Sequence, residues 1–194
     1  MPAHFHRTPR RNAGFSLVEL AVVVAVMAII MAIGLPSLRD VIANNRLSST
    51  TNEVLSLMQL AKIESIRRNV TVDVCAANAL GTACDGAGNW SRIIVVANSA
   101  TPAVVREFQA SNRVVIRVNT NISASTGGRI RFRPEGFAWR GTPTTARLVN
   151  GRIQVCTPAP GPTSNARNIV VSGARASVDA PAAAGATCNA TIAN

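Results

Sequence analysis

The chain has 194 residues, a length suited to one domain or one domain with an appendage. Twenty Lys and Arg against nine Asp and Glu give +11, while 47% of residues are apolar and only 15% charged, which excludes a disordered polyelectrolyte. His4 and His6 are the only histidines and tyrosine is absent, so chemistry that needs an imidazole base or metal ligand has no residue to use beyond position 6, and a metabolic enzyme is disfavoured. Nineteen of the twenty cations are arginine. GC-rich coding alone can produce that bias, yet the net charge implies a positive field open to DNA, anionic lipid or acidic protein; solvated charge without a partner is the competing reading.

The first 45 residues carry the most information. Arg7, Arg10 and Arg11 lie in a leader without acidic residues, and an apolar run follows from Phe15 to Leu35, ending at Pro36. As a helix those residues reach about 31 Å, enough to cross a bilayer, with the arginines holding the N-terminus in the cytoplasm. A secretory signal peptide would have a shorter apolar core and a small-x-small cleavage site, which Gly34-Leu35-Pro36-Ser37 does not supply. Arg10-Arg11 suggests twin-arginine export, but the highly apolar core argues against it. A plain anchor explains the length and leaves Glu19 unexplained. A carboxylate four residues into such a run costs about 2.5–3.5 kcal/mol on insertion scales; it either snorkels to the nearby interface or meets a dedicated partner.

Gly14 followed by Phe15-Ser16-Leu17-Val18-Glu19-Leu20, behind a basic leader and ahead of an apolar helix, resembles the type III signal of type IV prepilins and type II secretion pseudopilins. The resemblance implies that prepilin peptidase cuts between Gly14 and Phe15 and that Phe15 is N-methylated. The mature chain would then have 180 residues, with 17 cations and 9 acids leaving +8. Phe15 would carry a free amine at the helix start, and Glu19 would offer the opposite charge to the amine of a neighbouring subunit. An unpaired buried carboxylate is costly, so such a pair sets axial register.

Beyond Pro36, which is expected to kink the helix, the pattern stays helical to Arg68. Leu47, Thr51, Val54, Leu55, Met58, Ala61 and Ser65 recur at three-to-four spacing, and Leu57, Leu60 and Ile63 widen the apolar face. A helix from Phe15 to Arg68 is about 81 Å long, and only its second half can be covered by the chain's own globular part. From residue 70 the period becomes two. Val70 to Cys75, Arg92 to Ala97, Ala103 to Phe108, Arg113 to Val118, Arg129 to Arg133, Ile153 to Cys156 and Ile169 to Ser172 read as short strands separated by Gly, Pro, Asn and Ser clusters. Short links favour antiparallel pairing. The expected fold is α+β and type IV pilin-like, one long N-terminal helix packed on an antiparallel sheet. Its divisions are a leader at 1–14, a transmembrane helix at 15–35, its amphipathic continuation at 36–69, and a β domain at 70–194 with a disulfide-tied tail.

Met58 to Ser65, followed by Arg67, resembles the "L-x-x-A-R-x-E-A" helix end of the FimT/GspH branch of minor pilins and pseudopilins. Phe132-Arg133-Pro134-Glu135-Gly136 resembles its "F-x-P-x-G" strand-turn, which by its residue types also suits an ordinary turn. Arg167-Asn168-Ile169-Val170-Val171-Ser172 resembles its last strand.

Cys75, Cys84, Cys156 and Cys188 all follow the membrane segment. Three pairings exist; the preferred one, Cys75–Cys84 and Cys156–Cys188, closes one small loop and ties the tail to a strand, at about 2–4 kcal/mol each. Metal binding is disfavoured, since there is no Cys-x-x-Cys and no nearby His, and no cofactor is expected. Arg129, Arg131 and Arg133 alternate in one strand and share a face. That makes a phosphate-contacting stripe, against the alternative of a solvated face that blocks edge pairing. Some FimT-type minor pilins bind DNA through a "G-R-x-R" C-terminal motif. Ser172-Gly173-Ala174-Arg175-Ala176 holds only one arginine of that pair, so Arg167 and Arg175 would have to join the stripe.

The sequence therefore predicts a minor pilin: an inner-membrane, single-pass protein with a cytoplasmic N-terminus and a periplasmic globular domain, extracellular once assembled in a type IV pilus. Its expected partners are prepilin peptidase, other major and minor pilins and, as a second role, DNA. The alternative is a pseudopilin of a type II secretion system. Catalysis is the weakest reading, because Asp73, Asp85, Glu107, Glu135 and Asp179 are scattered without acid/base spacing.

Overall fold

Helix α1 spans Leu17–Arg68 and continues across Pro36. The computed structural model describes residues 14–86, 89–123, 128–140, 146–158, 165–179, 188 and 192. The leader up to residue 13, and the Ala-rich tail apart from Cys188 and Ile192, lie outside the described residues. Two compact units divide the chain, Met1–Arg39 and Asp40–Asn194. In the first, Leu17–Gly34 is long and apolar enough to cross a membrane, and none of that span is buried within the chain.

In the second unit α1 is amphipathic. Leu47, Thr51, Val54, Met58, Ala61 and Ser65 are buried, as their spacing predicts, and Leu57 joins them. Ile63, expected to widen this face, is instead 58% exposed. It lies two residues from Ala61 and Ser65, which puts it round the helix from their stripe. The helix stops where Asn69 adopts a left-handed backbone (φ 52°) and its N–H bonds the Ile66 carbonyl, an asparagine version of the left-handed C-terminal cap.

The strands are β1 (Thr71–Ala76), β2 (Arg92–Asn98), β3 (Ala103–Gln109), β4 (Val115–Val118), β5 (Arg129–Phe132), β6 (Ala138–Arg140), β7 (Gly151–Cys156), β8 (Ala166–Ser172) and β9 (Arg175–Val178), with a short helix α2 (Thr120–Ser123) after β4. All seven predicted strands are present; β6 and β9 are additional. The strand pattern predicts one sheet; the described residues form two, ordered β3-β2-β1-β5-β6 and β4-β7-β8-β9. All neighbours within each sheet pair antiparallel.

Both sheets contribute to one apolar core. Val72, Val74, Ile93, Val95, Ile130 and Phe132 from the first sheet and Ile116, Ile153, Val155, Ile169 and Val171 from the second cluster with the buried α1 face. β1 is buried on both faces, because it lies at the centre of its sheet and its outer face is also covered: Cys75, Ile94 and Val96 form a second cluster with Ala77 and Cys84.

Two of the family-like motifs, and the turn that follows the third, meet at the end of α1. Ser65 Oγ donates to the Arg133 carbonyl at 3.1 Å, and Lys62 Nζ donates to the Ala174 carbonyl at 2.8 Å, in the β8–β9 turn. Gly136 has φ +78°, and a Cβ there would lie 3.1 Å from Ile66 Cδ1, so the turn needs glycine for its backbone and for its closeness to the helix. The sheets join beside it through a ring of backbone bonds: Ala138 N–H to Gly173 O (2.8 Å), Gly173 N–H to Leu148 O (2.9 Å) and Leu148 N–H to Ala138 O (2.9 Å). Gly136→Ala should cost about 1–2 kcal/mol from backbone strain alone, read as a lower urea midpoint of the Asp40–Asn194 unit; an unchanged midpoint would show that the turn does not constrain the helix.

Candidate functional site

The residues expected to be processed, Gly14 and Phe15, stand just before α1. Ser16 Oγ accepts the Glu19 N–H at 3.1 Å, and the Ser16 carbonyl accepts from Leu20 N–H, so Ser16 caps the helix. The spacing Ser16-x-x-Glu19 is that of a capping box and puts the carboxylate at the positive end of the helix dipole. This explains why an acid is tolerated there. It does not explain why the acid heads an apolar span that its own chain leaves uncovered. Phe15 is 80% exposed. A Cβ on Gly14 would meet nothing within 4 Å, so side-chain packing makes no demand for glycine at that position.

Cys75 is joined to Cys84 and Cys156 to Cys188, with Cα separations of 5.6 and 5.7 Å, both ordinary for a disulfide. The first bond closes a loop over the outer face of β1. Within it Asn78 N–H bonds Ala83 O, Asn78 Oδ1 accepts Thr82 N–H, and Arg92 Nη1 donates to Ala79 O, all at 2.8–2.9 Å. The second bond lies with Ala166 and Val115 at one end of the four-stranded sheet. Among the described residues no group of three or more His, Cys, Asp or Glu could hold a metal.

The arginine stripe has a different setting from the one its alternation suggests. Asp73 lies directly opposite Arg131 across β1 and β5. Its carboxylate, 1% exposed, accepts from Arg131 Nε at 2.6 Å and Nη2 at 2.7 Å, and from Arg129 Nη1 at 3.2 Å. The bidentate bond with Asp73 raises the Arg131 pKa. Arg133 stacks over Trp139, 3.9 Å from the ring centroid, and Arg147 over Phe137 at 4.1 Å, within cation–π range. Two of the three stripe cations are therefore held by a buried acid and the third by an indole. Arg167 and Arg175 belong to β8 and β9, in the other sheet, so the five candidate residues do not line one strand face.

Sequence reasoning missed Asp73, Trp139 and Glu64. Asp73 was legible as the one acid in Val-Asp-Val, placed by alternation on the face opposite its valines. Glu64 is 8% exposed and accepts from Arg67 at 2.8–3.0 Å and also from Arg68. These bonds, Arg67's first, lower its pKa from 4.5 to about 2. The two cations lie in the last helical turn, where they also complement the dipole. Both clusters pair carboxylates with guanidiniums, which stay charged near neutral pH, so they order structure and do not relay protons.

The chain matches the family described as Type II transport protein GspH over residues 50–175 and the prokaryotic N-terminal methylation motif over residues 9–35. It belongs to the GspH family. The GspH match runs from the buried half of α1 through both sheets to the start of β9, and so contains the motif junction. The methylation match contains Gly14, Phe15 and Glu19. Among solved structures, the type IV minor pilin FimU of Pseudomonas aeruginosa PAO1 aligns over 75% of this chain and 96% of its own, with 16% identity and a TM-score of 0.51. A second crystal form of FimU aligns over 73% and 99% with the same identity and a TM-score of 0.49. No curated protein matches the chain. The first alignment gives the GspH-type chain a pilin fold, a long N-terminal helix followed by antiparallel sheets, and the methylation-motif match covers the apolar first part of that helix. Its family is one of structural subunits.

Two outcomes test the electrostatics. Asp73→Ala leaves two guanidiniums half-buried without their acid and should cost about 3 kcal/mol, measured by urea unfolding; a loss under about 0.5 kcal/mol would contradict the buried pairing. Because the Glu64 pKa is lower folded than unfolded, its contribution is full above pH 4.5 and fades as pH falls towards 2. The gap in urea midpoint between wild type and Glu64→Gln should therefore close over that window, and a gap independent of pH would contradict it.

Proposed function

We propose that the chain is a minor pilin, processed by prepilin peptidase between Gly14 and Phe15, N-methylated on Phe15, and incorporated into a type IV pilus, where it acts in assembly and initiation. Before assembly it sits in the inner membrane with a single pass, its N-terminus cytoplasmic and its globular domain periplasmic. In the pilus, the Glu19 carboxylate pairs with the Phe15 amine of a neighbouring subunit, and other pilins cover the apolar span.

The observation that carries this reading is the uncovered span itself. Leu17–Gly34 is 0% buried within the chain, follows a helix cap at Ser16 and carries Glu19 in its first turn. Fully burying each large side chain of such a surface is worth about 1.5–3 kcal/mol, so lipid and then sister subunits are its natural partners. A charge pair at its head fixes the depth at which it stops.

The GspH description favours a second reading, a pseudopilin of a type II secretion system, which uses the same signal and the same Glu19 chemistry. Loss of twitching on deletion supports the pilus; loss of protein secretion supports the second reading. In a DNA-capture role Arg129 and Arg131 would have to contact phosphate while paired with Asp73, and Arg133 while stacked on Trp139. Under either reading Glu19→Ala should lower recovery in sheared filaments at least tenfold while the protein stays in the membrane and is still processed; undiminished recovery would reject the register role.

A further inference from the structure

From the geometry beside the motif junction we infer that the cleft between α1 and the β8–β9 turn is a docking pocket for an acidic side chain of a different subunit. The inference names the partner chemistry for the assembly reading above and rests on it. The cleft has a volume of about 210 Å³, the space of roughly seven waters, which suits a single side chain. Its floor is Met58, Phe132 and Ala176, and its rim is Gln59, Lys62 and Arg175. No acid lines it. Lys62 uses one N–H on the Ala174 carbonyl and keeps two, and Arg175 is exposed. An apolar floor under two cations and an amide matches a carboxylate on an aliphatic stem, the shape of glutamate.

The charge balance decides between a second copy and a different subunit. Asp40–Asn194 holds sixteen cations and eight acids, a net +8. Glu53, Glu64, Asp73 and Glu107 already hold six arginines, and Asp85 and Asp179 make contacts of their own. A second copy would bring Asp40 and Glu135 against that repulsion, whereas an acidic neighbour gains from the same field. A nucleic-acid strand fits less well: Phe132 is only 2% exposed and offers no stacking face, and two cations do not make a track along a backbone.

The test places a photoreactive benzoylphenylalanine at Gln59 in the full chain in its own cells, with a second position at Ile29 as a reporter of filament packing. Adducts are mapped by mass spectrometry. The expected result is a Gln59 adduct to a peptide of a different pilin-type subunit within a few residues of an Asp or Glu. Arg175→Glu should reduce it at least tenfold and Arg175→Lys less than threefold. An adduct to a second copy, to nucleic acid or to a stretch without acids overturns the inference, as does one that Arg175→Glu leaves unchanged. A missing Gln59 adduct with a normal Ile29 adduct overturns the pocket and leaves the assembly reading standing, whereas loss of both overturns both.

Discussion

A helix of 52 residues whose first third finds nothing in its own chain to lie against is the constraint from which the rest follows. Leu17–Gly34 exposes residues such as Leu17, Val18, Ile29, Ile30 and Ile33, an apolar surface that no monomer can leave in water. The second half of the same helix solves the opposite problem. It buries Leu47, Val54, Leu57, Met58 and Ala61 against two sheets and is fixed there by side chains at its end. One continuous element thus serves two solvents, and the change from one to the other is written as a change from uniform apolarity to a stripe.

The fixed end explains why three separated sequence motifs have the residues they have. Ser65, Lys62 and Gly136 bring the helix, the first sheet and the β8–β9 turn together, and Glu64 gathers the two arginines of the last turn. In this light the helix-end glutamate and the turn glycine are structural residues, whereas under the proposed assembly reading Gly14 and Glu19 answer to molecules outside the chain. The two matches between them cover both sets.

Much of this was legible beforehand. The helix length, its buried stripe and seven of the nine strands among the described residues follow from periodicity, and the match to the N-terminal methylation motif from one unusual string, Gly14 to Leu20. The strands that escaped are short: β6 is three residues beside a turn, and β9, Arg-Ala-Ser-Val, has little β propensity. The division into two sheets depends on which strands pair over long separations, which no local pattern reports. Arg129 and Arg131 were placed on the right face, but the acid opposite them sits 56 and 58 residues earlier. A run of like charges on one strand says nothing of its neighbour.

The central claim, that the head of the helix is finished by processing so that its amine can meet a carboxylate, is tested most directly by intact-mass and N-terminal analysis of the protein purified from its membrane. The account predicts a chain starting at methylated Phe15, 180 residues long, with both disulfides closed. A chain that still starts at Met1, or an unmodified amine at Phe15 in assembled filaments, would contradict it.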